Sequence, residues 1–192
     1  MKQDVLFIQG GGEGAHEADG ILAASLQNAL GPEYRVRYPR MPDEADPRMR
    51  AWKAHIATQL AAGTGTVILV GHSLGSLALL KYLSEESIER PVAGLYLIAT
   101  PSWDDENWYY DELKLVDDLA AKLAKVQRIV LYHSRDDEIV PFAHLALNAS
   151  RLPRAIVRAT DGRGHQFGND LGDVAADIRS MGRAPTIPDT ST

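Results

Sequence analysis

Three separated segments of the chain carry side chains that together could perform nucleophilic chemistry. Gly71-His72-Ser73-Leu74-Gly75 fits the pattern G-x-S-x-G. In that pattern a serine sits on a tight, strained turn between a strand and a helix, and the flanking glycines remove Cβ atoms that would collide across it. A serine hydroxyl is a weak nucleophile: it needs a base within hydrogen-bond reach and a third group that fixes the base's tautomer. Downstream, Ser134-Arg135-Asp136-Asp137-Glu138-Ile139-Val140-Pro141 offers two carboxylates, Asp136 and Asp137, for the orienting role. Thr160-Asp161-Gly162-Arg163-Gly164-His165 then supplies an imidazole, His165, on a loop that Gly164 frees to swing. His72 adjoins the serine, but neighbouring side chains at such a turn point in different directions, so its expected role is structural. Taken singly, an acidic turn or a surface histidine says little. In the order serine, acid, histidine, all at strand ends, they specify acyl transfer through a Ser-His-Asp relay.

A tetrahedral intermediate also needs donors aimed at its oxygen. The N–H after the nucleophile, that of Leu74, is one. The loop Gln9-Gly10-Gly11-Gly12-Glu13-Gly14 lets the backbone approach a ligand closely, and Gly11 is assigned the second donor with Gly12 beside it. The same loop is no phosphate cradle: it lacks G-x-x-x-x-G-K-[ST], Ala15 spoils G-x-G-x-x-G, and Glu13, Glu17 and Asp19 are acidic. His16 with Glu13 and Asp19 has no specific metal-ligand spacing and is assigned a structural or solvent role, so no metal is expected. Gly12, Trp103 and Trp108 are the candidate walls of a substrate pocket, the last two from an aromatic and acidic stretch that could form a short lid or simply lead into a helix.

These segments need a scaffold that brings them to one edge. Short apolar runs at 5–9, 35–38, 66–70, 94–99, 128–133 and 155–159 read as six strands. Between them, apolar spacing of three and four predicts helices over 18–30, 48–62, 74–84, 110–125, 142–150 and 171–181. Strands alternating with helices imply a mostly parallel six-stranded sheet covered on both faces, a three-layer α/β/α sandwich. All three reactive segments would then leave carboxyl ends of strands, where ligands bind in open sheets of this kind. The 192 residues suit one domain, expected over 1–181, with 182–192 a flexible tail because it lacks apolar periodicity.

Composition narrows the function. With 45% hydrophobic and 24% charged residues the chain has ordinary globular usage, and its formal net charge of −6 argues against nucleic acid or an acidic membrane surface as partner. No cysteine is present, which excludes disulfides, thiolate catalysis and cysteine-bound zinc. The first apolar run spans only 5–8, too short for a signal peptide or a membrane helix, so the cytoplasm is the expected location.

The chain resembles the small serine hydrolases of the retinoblastoma-binding-protein-nine and YdeN kind, a compact branch of the α/β-hydrolases. The likeness rests on the Gly10–Gly12 loop, Met41-Pro42-Asp43, Gly71-His72-Ser73, Asp105-Glu106-Asn107, Asp136-Asp137 with Pro141, and Gly164-His165, and runs to about Met181. The D-x-x-V-P spacing familiar from this fold selects Asp137 over Asp136. The resemblance implies a triad of Ser73, Asp137 and His165, no large cap domain, no cofactor, and hydrolysis of small or activated carboxyl esters and amides. Gln9 and Leu74 depart from the residues usual at those positions; the first leaves the loop's shape open, while only the backbone of the second is needed. A retinoblastoma-binding role finds no support, because an L-x-C-x-E segment requires cysteine. The reading is a serine hydrolase of small acyl substrates. Its alternatives are an inert hydrolase-fold binding protein and an acyltransferase using the same nucleophile.

Overall fold

The computed structural model describes residues 2–102, 105 and 111–181. Six strands, β1 (Gln3–Ile8), β2 (Tyr34–Arg37), β3 (Val67–His72), β4 (Val92–Ile98), β5 (Arg128–Ser134) and β6 (Ile156–Thr160), form one sheet in the order β2-β1-β3-β4-β5-β6. Every neighbouring pair is parallel. The helices are α1 (Ala15–Leu30), α2 (Met49–Ala61), α3 (Leu74–Glu85), α4 (Leu119–Lys122), α5 (Ala143–Arg151) and α6 (Gly172–Ser180).

The period-two alternation of each strand divides the core into two layers. Val5, Phe7, Ile68, Val70, Tyr96, Ile98, Val130 and Tyr132 face α1 and α6, where Leu22, Leu26, Val174 and Ile178 meet them. Leu6, Ile8, Leu69, Leu95, Leu97 and Leu131 face the other way, onto Trp52 and Ile56 of α2, Leu77 and Leu80 of α3, and Leu119 of α4. Strands apolar on both faces are what a sheet covered on both sides demands. The three-layer α/β/α sandwich follows directly. Among the described residues no helix is long and apolar enough to cross a membrane.

One predicted element is much reduced. Instead of a helix over 110–125, the described part holds a single 3₁₀ turn, Asp111–Leu113, and the four residues of α4. The apolar spacing still works, since Leu115, Leu119 and Leu123 are buried. The backbone, however, is spent elsewhere. The Lys114 carbonyl accepts from Lys81 Nζ at 2.6 Å and the Val116 carbonyl from Arg151 at 2.7 Å, so neither closes a helical turn. The predicted tail, 182–192, lies outside the described residues, as does Met1.

Candidate active site

The turn after β3 is built by close approach. Ser73 has φ 51° and ψ −123°, a positive φ that side-chain-bearing residues seldom adopt. Its N–H donates to the Ile98 carbonyl at 2.8 Å, and Ser76 Oγ donates to the Gly71 carbonyl at 2.6 Å, pinning both sides of the bend. A Cβ on Gly75 would lie 2.2 Å from the Gln9 carbonyl oxygen, and one on Gly71 would lie 2.6 Å from Ser76 Cα. The glycines of G-x-S-x-G therefore let α3 start directly against β1, with the serine partly exposed at the sheet's carboxyl edge.

Asp137 and His165 meet on neighbouring loops. His165 Nδ1 lies 3.0 Å from each oxygen of Asp137, whose side chain is fully buried. Because a carboxylate only accepts, Nδ1 carries a proton, and in the neutral ring the lone pair is then on Nε2. Asp137 is held in turn: the Ile139 and Val140 N–H groups donate to its Oδ1 at 2.9 and 2.8 Å, and His133 Nε2 lies 3.1 Å from its Oδ2. Burial alone would push this carboxyl's pKa upward. The hydrogen bonds from His133, His165 and the two N–H groups outweigh it and hold the group well below the usual carboxylate range.

Asp136 takes a different place. It is exposed, yet its Oδ1 accepts from Ser134 Oγ and from the N–H groups of Arg163 and Gly164 at 3.2 and 3.3 Å. It thus shapes the loop that carries His165 without touching the imidazole. Glu138 assists by accepting the His165 N–H at 3.0 Å.

Ser73 stands one residue from His72, and the His72 and His165 rings lie 4.7 Å apart, so serine and imidazole occupy one corner of the sheet edge. No hydrogen bond joins the Ser73 hydroxyl to His165 among the described residues. Such bonds commonly tighten only when substrate is bound.

On the facing side, Gly10 donates its N–H to Asp19 Oδ2 at 2.7 Å and Gly12 donates to the Glu44 carbonyl at 2.6 Å. The Gly11 N–H has no partner among the described residues. Gly11 packs on Leu74: a Cβ there would lie 2.6 Å from Leu74 Cδ2. The Leu74 N–H, at the first position of α3, has no carbonyl of its own helix to bond.

Gln9 links this loop to its surroundings, donating to Glu44 Oε2 at 2.6 Å and accepting the Met41 N–H at 3.1 Å. The residues of the loose His16, Glu13 and Asp19 cluster do not converge. His16 Nδ1 lies 2.8 Å from Gln9 Oε1 with its ring stacked on Tyr38, while Asp19 turns to His72. Trp103 and Trp108 lie outside the described residues, as does most of their stretch.

Two supporting residues escape a reading of the sequence. His133, at the end of β5, braces Asp137; its only signal is a histidine four positions ahead of the acid. Asp19 sits under Gly10, and nothing local distinguishes it from other acids of a helix's first turns.

The profile of the serine hydrolase family matches residues 22–169 of the 192. No curated protein sequence matches the chain. Among solved structures, the ydeN gene product of B. subtilis superposes with a TM-score of 0.71 at 20% identity, over 94% of this chain and 98% of that one. Serine hydrolase CCSP0084 from Cycloclasticus zankles gives 0.71 at 15% identity, over 96% and 92%. A putative YdeN-like hydrolase from Pectobacterium atrosepticum gives 0.60 at 16% identity, over 93% and 89%. At these identities the structures speak for the fold, and the family match carries the rest: the chain belongs to the serine hydrolase family and is a hydrolase.

Proposed function

We propose that this hydrolase cleaves small carboxyl esters through an acyl-enzyme on Ser73. Ser73 Oγ attacks the carbonyl carbon while His165 Nε2 takes its proton, and Asp137 stabilises the imidazolium that forms. The Leu74 and Gly11 N–H groups hold the oxyanion. The intermediate collapses, the alcohol leaves with the proton from His165, and a water deprotonated by His165 then releases the acid and restores Ser73. No cofactor enters these steps.

The observation that carries this reading is the pairing of His165 Nδ1 with both Asp137 oxygens, which in the neutral ring leaves Nε2 as the nitrogen able to accept a proton. The oxyanion assignment is supported by elimination, since the Gly10 and Gly12 N–H groups are already committed. The test is labelling by a fluorophosphonate probe with mass-spectrometric mapping of the adduct, followed by turnover on a panel of esters, amides and acyl acceptors. Labelling at Ser73, abolished in Ser73→Ala, with ester turnover exceeding acyl transfer, is expected. Undiminished labelling of Ser73→Ala would remove Ser73 as nucleophile. Product formation that depends on an acceptor would move the protein to the acyltransferases.

A further inference from the structure

We infer that His72 is held as an imidazolium ion against the Asp19 carboxylate, and that this pair sets the spacing between the oxyanion loop and the loop bearing His165. The inference rests on the roles given above to Gly11 and His165. His72 touches no reacting atom, so it is a positioning residue.

The protonation state follows from the partners. His72 Nε2 lies 3.0 Å from the backbone carbonyl oxygen of His165, and a carbonyl can only accept, so Nε2 bears a proton. Nδ1 lies 2.9 Å from Asp19 Oδ2. That same oxygen already accepts the Gly10 N–H at 2.7 Å, and Asp19 Oδ1 accepts from Gln166 Nε2 at 3.1 Å. Asp19 is thus surrounded by donors, as a carboxylate requires, and Nδ1 also donates. Two protons on one ring make it a cation.

Both side chains are only 2% exposed. A lone charge at that depth would be untenable, whereas an ion pair with its remaining hydrogen bonds satisfied is tolerated. Burial pushes the imidazole toward its neutral form. The hydrogen bond and charge of Asp19, the His165 carbonyl and the Asp137 charge outweigh burial and raise its pKa above the ordinary 6.5. Asp19 is held below its ordinary value by the same contacts, chiefly the His72 bond against its own burial. The titratable groups facing His72 are Asp19 from α1, Asp137 from the loop after β5 and the His165 ring from the loop after β6.

The connections explain why the pair matters. Asp19 holds Gly10, the residue before the proposed oxyanion donor. His72 holds the backbone of His165, and its own chain neighbour is Ser73. Nucleophile, base and oxyanion loop, which come from three separate strands, are therefore referred to one side chain. A misplacement of about 1 Å in such an arrangement can cost about 10²-fold in rate. The clamp is complete between the lowered Asp19 value and the raised His72 value; it is lost as pH falls through the first and as pH rises through the second.

The experiment combines long-range ¹H–¹⁵N spectra of the histidine rings in the full chain with kinetics of Asp19→Asn, which removes the charge while keeping an oxygen for Gly10. In the wild type at about pH 7, above the ordinary imidazole value of 6.5, both His72 nitrogens should appear protonated. In Asp19→Asn one should lose its proton, with kcat falling about 10²-fold, KM little changed, and activity declining from a lower pH on the basic side. A bare ring nitrogen on wild-type His72 at that pH would overturn the inference, as would an Asp19→Asn enzyme with wild-type kcat and pH profile. Should Asp19→Asn fail to fold, the wild-type spectrum still decides. The spectrum also separates this inference from the acyl-enzyme reading, whose own failure appears as undiminished probe labelling of Ser73→Ala.

Discussion

Asp137→Asn is the substitution whose consequences the geometry defines most sharply. Asp137 Oδ1 receives two backbone N–H groups, and His165 Nδ1 bridges both oxygens, with His133 on Oδ2. An asparagine has one acceptor oxygen, which the Ile139 and Val140 N–H groups claim. Its NH₂ then replaces Oδ2 and points at His133 and His165. To avoid facing two donors, His165 must move its proton to Nε2, the nitrogen proposed to deprotonate Ser73. A wrong tautomer of this kind costs roughly 10⁴-fold in kcat, about 5 kcal/mol of barrier. The donor-to-donor contact left at His133 is buried and should destabilise the fold by about 1–3 kcal/mol, lowering Tm by roughly 2–10 °C in a chain this size. The control is Asp136→Asn. Its three hydrogen bonds all end on Oδ1, which asparagine retains, so the loss should stay within about ten-fold. Ester turnover and thermal melts of both purified variants are the assay. An Asp137→Asn enzyme retaining more than about a tenth of wild-type kcat, or a larger loss in Asp136→Asn, would refute the orienting role.

Two further outcomes are expected. Gly75→Ala places a Cβ 2.2 Å from the Gln9 carbonyl oxygen and 2.4 Å from that of Ile8, both backbone, so α3 must withdraw from β1. A loss of about 3 kcal/mol or more should appear in urea denaturation, and an unchanged midpoint would contradict the packing described for the elbow. In acid, Asp4, Asp19, Asp137 and Asp177 all have pKa values held below the ordinary 3.8 by bonded partners. Their stabilisation is present above that value and disappears as pH falls through their lowered ones, so urea midpoints should drop steeply below about pH 4 and stay nearly flat from about pH 5 to 6.

The inner strands could be read from the sequence because each is a short apolar run bounded by polar turns, buried on both faces; the edge strands β2 and β6, half exposed, were legible mainly from their place between helical segments. The Gly71–Gly75 turn was equally legible, since its glycines answer a local demand of strand meeting helix. The segment 110–125 misled for a physical reason. Its leucines recur at helical steps and are indeed buried, but periodicity says nothing about carbonyls claimed by Lys81 and Arg151 from other elements. The supporting partners were beyond reach for the same reason: Asp19 lies 53 residues from His72, and only the packed sheet edge joins them. Asp136 shows the limit in a milder form. Its exposure was foreseeable, but its grip on the Arg163 and Gly164 N–H groups was not.

The sheet order has a consequence for how the molecule fails. Ser73 hangs from β3, flanked by β1 and β4, whereas His165 hangs from β6, which leans on β5 alone and is largely exposed along its length. Fraying of that margin needs the loss of one ladder, while dislodging the proposed nucleophile means tearing the centre of the molecule. Gentle warming should therefore silence the enzyme while its interior is still intact, and cooling should revive it.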